Sequence, residues 1–285
     1  MFLLIGYVVI LLASVGTYAV HGSLAALFVP MEYLAIVGLT IGGFVAGNGG
    51  KAIKATVAAL PSALSGSKFN KTLYMELLAM LFEILSKVRK EGLMSIEGDV
   101  ENPEGSPIFS KYPSVVSDHH VMEFITDYLR MMVGGNLNAF EIENLMDIEI
   151  ETHHHEAHVP AHVMSKTADS VPAFGIVVAV MGVVNVMGSV GEPPAVLGKM
   201  IGGALVGTFL GILVSYGFVA PIAGQLEQKA EESGKIYQCI KAVLLASMNG
   251  YAPQVAVEFG RKVLYSTDRP TFSELEEDLK SRKGK

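Results

Sequence analysis

The segment Thr152–His162 concentrates the side chains of this 285-residue sequence that are best suited to bind a metal or to exchange protons. His154, His158 and His162 follow at intervals of four residues, which places them on one face of a helix if Pro160 is tolerated. Imidazoles at this interval ligate metals, but metal sites normally add cysteines or an ordered third ligand. We therefore expect a solvated helix or loop with no metal and no cofactor. Histidine also titrates near neutral pH, so pH sensing stays open as a second interpretation.

Four apolar blocks are the elements that would hold the histidine segment in place. The sequence is 51% hydrophobic and only 17% charged, whereas soluble proteins carry about 25% charged residues. Each block is about as long as the ~20 residues that cross a hydrocarbon core as a helix. The blocks are Met1–Val20, Tyr33–Gly50, Val171–Val190 and Gly198–Pro221. We expect an all-α, polytopic membrane protein with four transmembrane helices and a helical cytoplasmic domain.

The interiors of these blocks carry no Asp, Glu, Lys, Arg or His. Proton relays across membranes normally use such groups, so this chain alone is a poor proton carrier. If it serves ion flow, a partner must supply the ionisable residue, and this chain can only line the path. The polar groups that it offers for such a path are Asn185, Thr208, Ser215 and Tyr216.

Prolines and glycines give the apolar blocks further features. Pro172 and Pro221 stand near the cytoplasmic ends of the third and fourth blocks. Each frees a backbone carbonyl one turn earlier, which is typical either of a hinge or of a plain helix end. Glycines at four-residue intervals predict closely packed helices in the second and fourth blocks. They are Gly38, Gly42, Gly43 and Gly47, and then Gly203, Gly207 and Gly211.

The basic residues predict the orientation. All but one of the 21 Lys and Arg residues lie in residues 51–170 and 222–285, and the exception is Lys199. The positive-inside rule places these two segments and both termini in the cytoplasm. The predicted organisation is residues 1–50 (two spans and a short periplasmic turn), 51–170 (cytoplasmic loop), 171–221 (two spans) and 222–285 (cytoplasmic tail).

Apolar spacing and capping residues predict helices in the cytoplasmic segments. The helices are Asn70–Glu91 ended by Gly92, Ser117–Val133 stopped by Gly134 and Gly135, a helix started by a capping box of Asn138 and Glu141 that runs through the histidines, Gln225–Met248 as a continuation of the fourth span stopped by Asn249 and Gly250, and a last helix begun by Ser273 and Glu276.

Several stretches resemble the MotA family of bacterial flagellar stator proteins, and the likeness covers nearly the whole chain. Four spans with the long loop between the second and third also match the family. The stretches are Asp169-Ser-Val-Pro-Ala-Phe-Gly175, Ala204-Leu-Val-Gly-Thr-Phe-Leu-Gly-Ile-Leu213 with Pro221 after it, Arg89-Lys-Glu-Gly-Leu-Met-Ser-Ile-Glu97 followed by Glu101-Asn-Pro, Asn249-Gly-Tyr-Ala-Pro253, and Val257-Glu-Phe-Gly-Arg261.

The resemblance implies a homo-oligomeric ring of five chains around two copies of a MotB-type B subunit, which supplies the ion-carrying Asp. Ion passage would rotate the ring, and its cytoplasmic part would push on the rotor protein FliG. By resemblance the implied roles are charges at the rotor interface (Arg89, Glu97), coupling prolines (Pro172, Pro221) and the ion path (Ala179, Thr208, with Tyr216 as a polar neighbour). Glu149 and Glu151 are fainter candidates for the same rotor surface. Ala179 favours protons, because sodium-type relatives carry a hydroxyl there and dehydrated sodium needs oxygen ligands.

Other classes of protein fit the sequence less well. An energiser of the ExbB/TolQ type is the main alternative, but such proteins have three spans with the large loop after the first. A membrane-anchored metalloenzyme would lack a carboxylate-activated site, and a transporter would need a charged midplane residue. The formal charge of −7 argues against nucleic acid as a partner, and the single Cys239 allows no intramolecular disulfide. We therefore expect no enzymatic activity.

Overall fold

The computed structural model describes residues 2–135 and 138–283, and within these ranges the chain forms helices and turns without a strand. The expected all-α class is therefore confirmed. The longer helices are α1 (Phe2–Val20), α2 (Pro30–Ala46), α3 (Gly50–Leu64), α4 (Lys71–Glu91), α5 (His119–Gly134), α6 (Ala139–Met187), α7 (Pro194–Met248), α8 (Pro253–Val263) and α9 (Phe272–Lys283). Between α4 and α5 lie the single turns Leu93–Ile96, Glu97–Glu101, Pro103–Gly105, Phe109–Lys111 and Pro113–Val116.

Among the residues that the structure describes, four stretches of helix are long and apolar enough to cross a membrane, as the sequence predicted. They are α1, α2 with the turn Leu24–Leu27 before it, α6 and α7. The second helix ends at Ala46, four residues before the predicted limit of Gly50, because Gly47, Asn48 and Gly49 form a turn. Gly50 instead begins α3, a helix that the sequence analysis did not predict.

Two compact units make up the chain, and the division falls inside α6 and α7. The first unit comprises Met1–Gly66 and His158–Lys229, and the second comprises Ser67–Ala157 and Ala230–Lys285. The predicted membrane and cytoplasmic boundaries are a different kind of division, and they stay a prediction.

Glycines bring α6 and α7 together in the first unit. A Cβ atom placed on Gly211 would lie 2.8 Å from Cα of Gly175, and one on Gly175 would lie 2.7 Å from the carbonyl oxygen of Gly207. A Cβ on Gly182 would lie 2.7 Å from Cβ of Ala204. These distances leave no room for a side chain at Gly175, Gly182 or Gly211, and a Cβ on Gly207 would be tight, at 3.2 Å from the backbone N of Ala179.

Not every glycine at the four-residue interval has this role. Gly203 meets only the side chain of Val29, at 3.6 Å, which is ordinary contact. In α2, a Cβ added to Gly38 or Gly42 would meet no atom within 4 Å. Gly38 and Gly42 are therefore not needed for packing within the described part of this chain, whereas a Cβ on Gly43 would lie 3.0 Å from the ring of Phe174 in α6.

Lys229 fixes the end of α3 in the first unit. Its ammonium donates to the carbonyl oxygens of Ser62, Ser65 and Gly66, and to the hydroxyl of Ser65 at 3.1 Å. Ser62 lies in the last turn of α3, and Ser65 and Gly66 follow the end of the helix directly. A cation at that position also interacts favourably with the helix dipole, which stabilises the last turn of α3.

The second unit has one large hydrophobic core around α4. The side chains of Leu77, Leu78, Met80 and Leu81 are completely buried there. Residues from α5, α8 and α9 pack against them, together with residues of α7 between Ile236 and Ala246. The apolar spacing of Asn70–Glu91 in the sequence therefore corresponds to a helix that is buried over most of its length.

The predicted helix ends are confirmed by their capping contacts in three cases. Asn70 accepts a hydrogen bond from the backbone N–H of Leu73 at 3.0 Å, and Gly92 ends α4 with φ of +87°. Asn138 and Glu141 exchange the two hydrogen bonds of a capping box. The second predicted helix begins at His119 rather than Ser117, because Asp118 is its cap.

The last capping box was predicted at the wrong residues. Thr271 and Glu274, not Ser273 and Glu276, exchange the contacts at the start of α9. The backbone N–H of Thr271 donates to Glu274 at 2.7 Å, and Lys71 donates to the same carboxylate. These hydrogen bonds to the ionised form lower the pKa of Glu274 to about 2. Both residue pairs match the capping-box pattern of Ser or Thr followed three residues later by Glu. Pro270 directly precedes Thr271 and prevents the helix from beginning earlier.

Candidate functional site

The charged residues expected at the rotor interface lie at the end of α4 and just beyond it. Arg89 is exposed in the last turn of α4, and its guanidinium donates to the carbonyl oxygen of Gly250 at 3.4 Å. Glu97 is exposed at the start of the turn Glu97–Glu101. Both side chains are accessible to a partner, and both belong to the second unit.

A buried carboxylate that the sequence analysis missed positions this surface. Asp99 is only 5% exposed and accepts a hydrogen bond from Lys87 at 2.7 Å and from the Ser106 hydroxyl at 2.6 Å. The same hydroxyl oxygen accepts from the backbone N–H groups of Ile108 and Phe109, each at 3.2 Å. Asp99 stands three residues after the buried Ile96, which is the spacing that could have indicated its inward direction.

A cavity of about 630 Å³ opens beside Arg89 in the same unit. Its walls come from α4, α8, α9 and the turns between α4 and α5, and they carry the basic residues Lys87, Lys90 and Arg282 together with the acidic residues Glu83 and Glu91. Arg282 also lies over the ring of Tyr112 at 5.3 Å. In the recess next to Arg89, basic side chains therefore outnumber acidic ones.

Glu149 has a partner inside the second unit. The hydroxyl of Tyr128 donates to its carboxylate at 2.7 Å. Burial and, secondly, this hydrogen bond to a carboxylate raise the pKa of Tyr128 above its ordinary value. Glu149 thus ties α6 to α5, and its expected contact with the rotor stays a prediction.

The expected coupling and ion-path residues all lie in the first unit. Pro172 is half-buried within α6, which continues through it. Pro221 follows a π-helical segment of α7, Ser215–Val219. Ala179 is buried, and its backbone N lies 3.2 Å from a Cβ placed on Gly207, so it belongs to the contact between α6 and α7.

Thr208 and Tyr216 differ in accessibility. Thr208, next to Gly207, is half-buried, whereas Tyr216 is 62% exposed. The buried face of α7 therefore carries glycines against α6, and Tyr216 faces away from the described residues of its own chain. Its surroundings in the membrane have to come from lipid or from another chain.

The histidine segment is helical, because α6 passes through Pro160 without interruption. The His154 imidazole lies 3.6 Å from the Glu231 carboxylate, and His155 lies 3.7 Å from Glu151. The side chain of His162 is exposed. Pro160 is therefore tolerated within the helix, as the common face of the three histidines requires. That no metal binds to these histidines stays a prediction.

His153 and a second histidine pair were not singled out from the sequence. The ring of His153 packs on Tyr237, with centroids 4.3 Å apart, and burial lowers the pKa of this imidazole. His119 and His120 begin α5, and with Glu123 they present ligand atoms within 4.8 Å of one another. All three of these side chains are exposed.

Comparison with known proteins gives matches over almost the whole chain. Residues 4–92 match the Motility protein A N-terminal family, and residues 117–238 match the MotA/TolQ/ExbB proton channel family. Motility protein A of Escherichia coli (strain K12) is 52% identical over 99% of this chain and 96% of that protein.

Two solved structures share the fold. The structure of C. jejuni MotAB aligns with a TM-score of 0.77 at 21% identity, over 94% of this chain and 98% of that chain. The flagellar MotAB stator complex from Bacillus subtilis aligns with a TM-score of 0.68 at 25% identity, over 90% and 92%.

Four apolar helices with a helical second unit and these matches define an ion-channel protein of the MotA/TolQ/ExbB class. Within that class, the chain belongs to the motility protein A family. Its role is that of a flagellar stator ion-channel component, and the alternative of an ExbB/TolQ-type energiser is thereby set aside.

Proposed function

We propose that this chain forms a proton channel together with a MotB-type B subunit, and that the channel drives rotation of the flagellar rotor through FliG. The observation that carries the proposal is the absence of Asp, Glu, Lys, Arg and His from the interiors of the four predicted spans. Because a transmembrane proton path normally uses such a group, a second chain has to supply it. The Bacillus relative is a MotAB complex, which supports a B subunit in this role.

Protons are proposed as the ion. Ala179 has no oxygen in its side chain, and it is buried against Gly207. Dehydrated sodium requires oxygen ligands, whereas a proton can pass to a carboxylate of the B subunit without them. Thr208 and the exposed Tyr216 are proposed to line the path on the side of α7 that faces another chain.

An oligomeric ring accounts for the exposed apolar helices. In α1 and in the second span, only 6% of the most apolar window is buried within this chain. The open faces at Gly38 and Gly42 would allow a neighbouring helix to approach closely. We propose a ring of five, which is the number implied by resemblance, with the remaining apolar surface in lipid.

The proposed location is the bacterial inner membrane, with the second unit and both termini in the cytoplasm. The support is the distribution of Lys and Arg, of which all but Lys199 lie in residues 51–170 and 222–285. This orientation would place Arg89 and Glu97 on the side of the membrane where the rotor stands.

Arg89 and Glu97 are proposed to contact FliG repeatedly during rotation. Both side chains are exposed, and the recess beside Arg89, with its net basic lining, could receive a protruding acidic segment. Exposed ion pairs contribute about 0–1 kcal/mol each, which suits contacts that form and break at every step. Pro172 and Pro221 are proposed to transmit the change caused by ion passage from the membrane helices to this surface.

Swimming of a host that lacks its own stator tests the whole proposal. The chain is expressed with and without the cognate B subunit, and speed is recorded in sodium-free medium before and after a protonophore is added. We expect swimming that requires the B subunit, continues without sodium and stops with the protonophore. Failure to swim despite stable membrane complexes would contradict the role in torque, and dependence on sodium would contradict protons.

Reversing the charge of Arg89 tests the rotor contact separately. We expect Arg89→Glu to lower torque, because it weakens the contact with FliG up to about fivefold in its equilibrium constant for a lost pair of about 1 kcal/mol. A reversed charge on the partner residue of FliG should restore part of the torque. Lys262→Glu, a reversal at an exposed residue of α8, is the control. Equal torque for wild type and Arg89→Glu would remove Arg89 from the interface.

A further inference from the structure

Pro172 leaves one backbone carbonyl of α6 without its helical donor. The helix continues on both sides of the proline, from Ala139 to Met187. In such a helix the N–H of residue 172 would bond to the carbonyl of Ala168, but proline has no N–H. Ala168 is buried, so this carbonyl requires another donor.

Ser215 of α7 supplies that donor. Its hydroxyl donates to the carbonyl oxygen of Ala168 at 2.6 Å, and the Ser215 side chain is completely buried. Serine and threonine in helices usually bond to a carbonyl of their own helix, three or four residues earlier. Ser170 and Thr40 do so in this chain, at 2.7 Å each. The bond of Ser215 is instead an interhelical one, directed to the carbonyl that the proline has freed.

The glycine contact between the two helices explains why a short side chain can reach. Gly211, one turn before Ser215, has room for no Cβ against Gly175, and a Cβ there would also lie 3.1 Å from the carbonyl oxygen of Val171. The two backbones therefore approach closely on this face. On the next turn of α7, the hydroxyl of Ser215 spans the small remaining distance to Ala168.

Ser215 also begins the irregular part of α7. The π-helical segment Ser215–Val219 starts at this residue, and Pro221 follows two residues after the segment. From the other side, the hydroxyl of Tyr7 in α1 donates to the carbonyl oxygen of Phe218 at 2.8 Å. Single π-helical turns within α-helices are frequent at functional sites, because the backbone can change there without unfolding the helix.

We propose that Ser215 is a positioning residue for ion-driven rotation. Its hydrogen bond to Ala168 ties the Pro172 segment of α6 to the π-helical segment before Pro221 in α7, so that both segments bend as one unit. This inference rests on the proposed coupling role of the two prolines and adds the contact that joins them. Ser215 acts through the backbone of α6 and contacts neither the ion nor the rotor.

The torque of single stator units tests this role. Ser215→Ala is expressed with the B subunit, and the rotation of a bead attached to a flagellum is recorded while stator units join the motor one at a time. We expect smaller speed increments for each added unit than in wild type. A purely structural role would reduce the number of units while leaving each increment unchanged. Ser170→Ala, which removes a hydroxyl bonded within α6, should leave the increments as in wild type.

Thermal unfolding of the purified complex with its B subunit tests the hydrogen bond itself. Ser215→Ala should lower the unfolding midpoint by about 2–4 °C, the shift typical of one lost interaction in a chain of this size. In Pro172→Ala, the new N–H can bond to Ala168 in place of Ser215. Adding Ser215→Ala to that background should therefore change the midpoint little.

The outcomes separate this inference from the proposed function. Unchanged increments in Ser215→Ala would overturn the positioning role, and equal midpoint shifts with and without Pro172 would overturn the pairing of the hydroxyl with the freed carbonyl. If the wild-type chain gives no rotation at all, the proposed function fails. The midpoint comparison does not depend on rotation and still decides whether Ser215 serves the freed carbonyl.

Discussion

Gly211→Ala should abolish rotation, because it separates the two membrane helices that carry the coupling prolines. The new Cβ would lie 2.8 Å from Cα of Gly175 and 3.2 Å from its backbone N. Both atoms belong to the backbone, so the clash cannot be relieved by turning a side chain. Overpacking of this kind typically costs about 1–3 kcal/mol, and relief here requires the helices themselves to move apart. We therefore expect loss of torque together with a lower unfolding midpoint of the complex.

Gly202→Ala is the matched control in the same helix. A Cβ at this residue would meet no atom within 4 Å. Alanine also favours a helix over glycine by about 1 kcal/mol, so the control should leave the complex as stable as wild type or make it more stable. Normal torque in Gly211→Ala would mean that the contact between α6 and α7 is not required for coupling.

The sequence predicted those features of the fold that depend on neighbouring residues. The capping box of Asn138 and Glu141 and the positive φ of Gly92 follow from local backbone chemistry, and both are present. The four membrane-spanning stretches were equally predictable, because they are identified by their length and hydropathy. Glycine spacing predicted close packing, but only the structure distinguishes Gly211, which contacts α6, from Gly42, which faces open space.

Contacts between distant residues were not readable from the sequence. Ser215 was noted only as a polar group in a span, since its bond to Ala168 crosses 47 positions of the chain. Helix α3 was missed because it directly follows the apolar second block and shares small residues with it. Asp99 looked like one of several charges in a polar segment, and its burial depends on Lys87 and Ser106.

The contacts around Asp99 support the exposed residues of the proposed rotor surface. Arg89 and Glu97 are exposed and make few contacts of their own, so the direction of their side chains depends on the backbone beneath them. Lys87 lies two residues before Arg89, and Asp99 lies two residues after Glu97. The ion pair of the half-buried Lys87 with the buried Asp99 therefore holds the two ends of the segment that presents the proposed rotor contacts.

Asp99→Ala is accordingly expected to reduce torque without altering either proposed contact residue. The substitution leaves Lys87 without its carboxylate and removes the acceptor of the Ser106 hydroxyl. Breaking a fully buried pair costs about 3–5 kcal/mol. Lys87 is 29% exposed and can turn toward water, so we expect Asp99→Ala to lower the free energy of unfolding by about 2–3 kcal/mol. The segment between Arg89 and Glu97 should then open locally, and the speed increment for each added stator unit should fall.

Hydrogen exchange of the backbone amides, measured on the purified complex, locates this effect. Exchange in residues 93–109 should accelerate in Asp99→Ala, while the buried residues of α4 around Leu78 keep their protection, because they pack in the main core and not on Asp99. Asp127→Ala is the matched control, since Asp127 forms an exposed pair with Arg130 that contributes about 0–1 kcal/mol. Unchanged exchange in residues 93–109 would show that the pair of Lys87 and Asp99 does not order the segment. Accelerated exchange with normal torque would show instead that the order of this segment is not what FliG recognises.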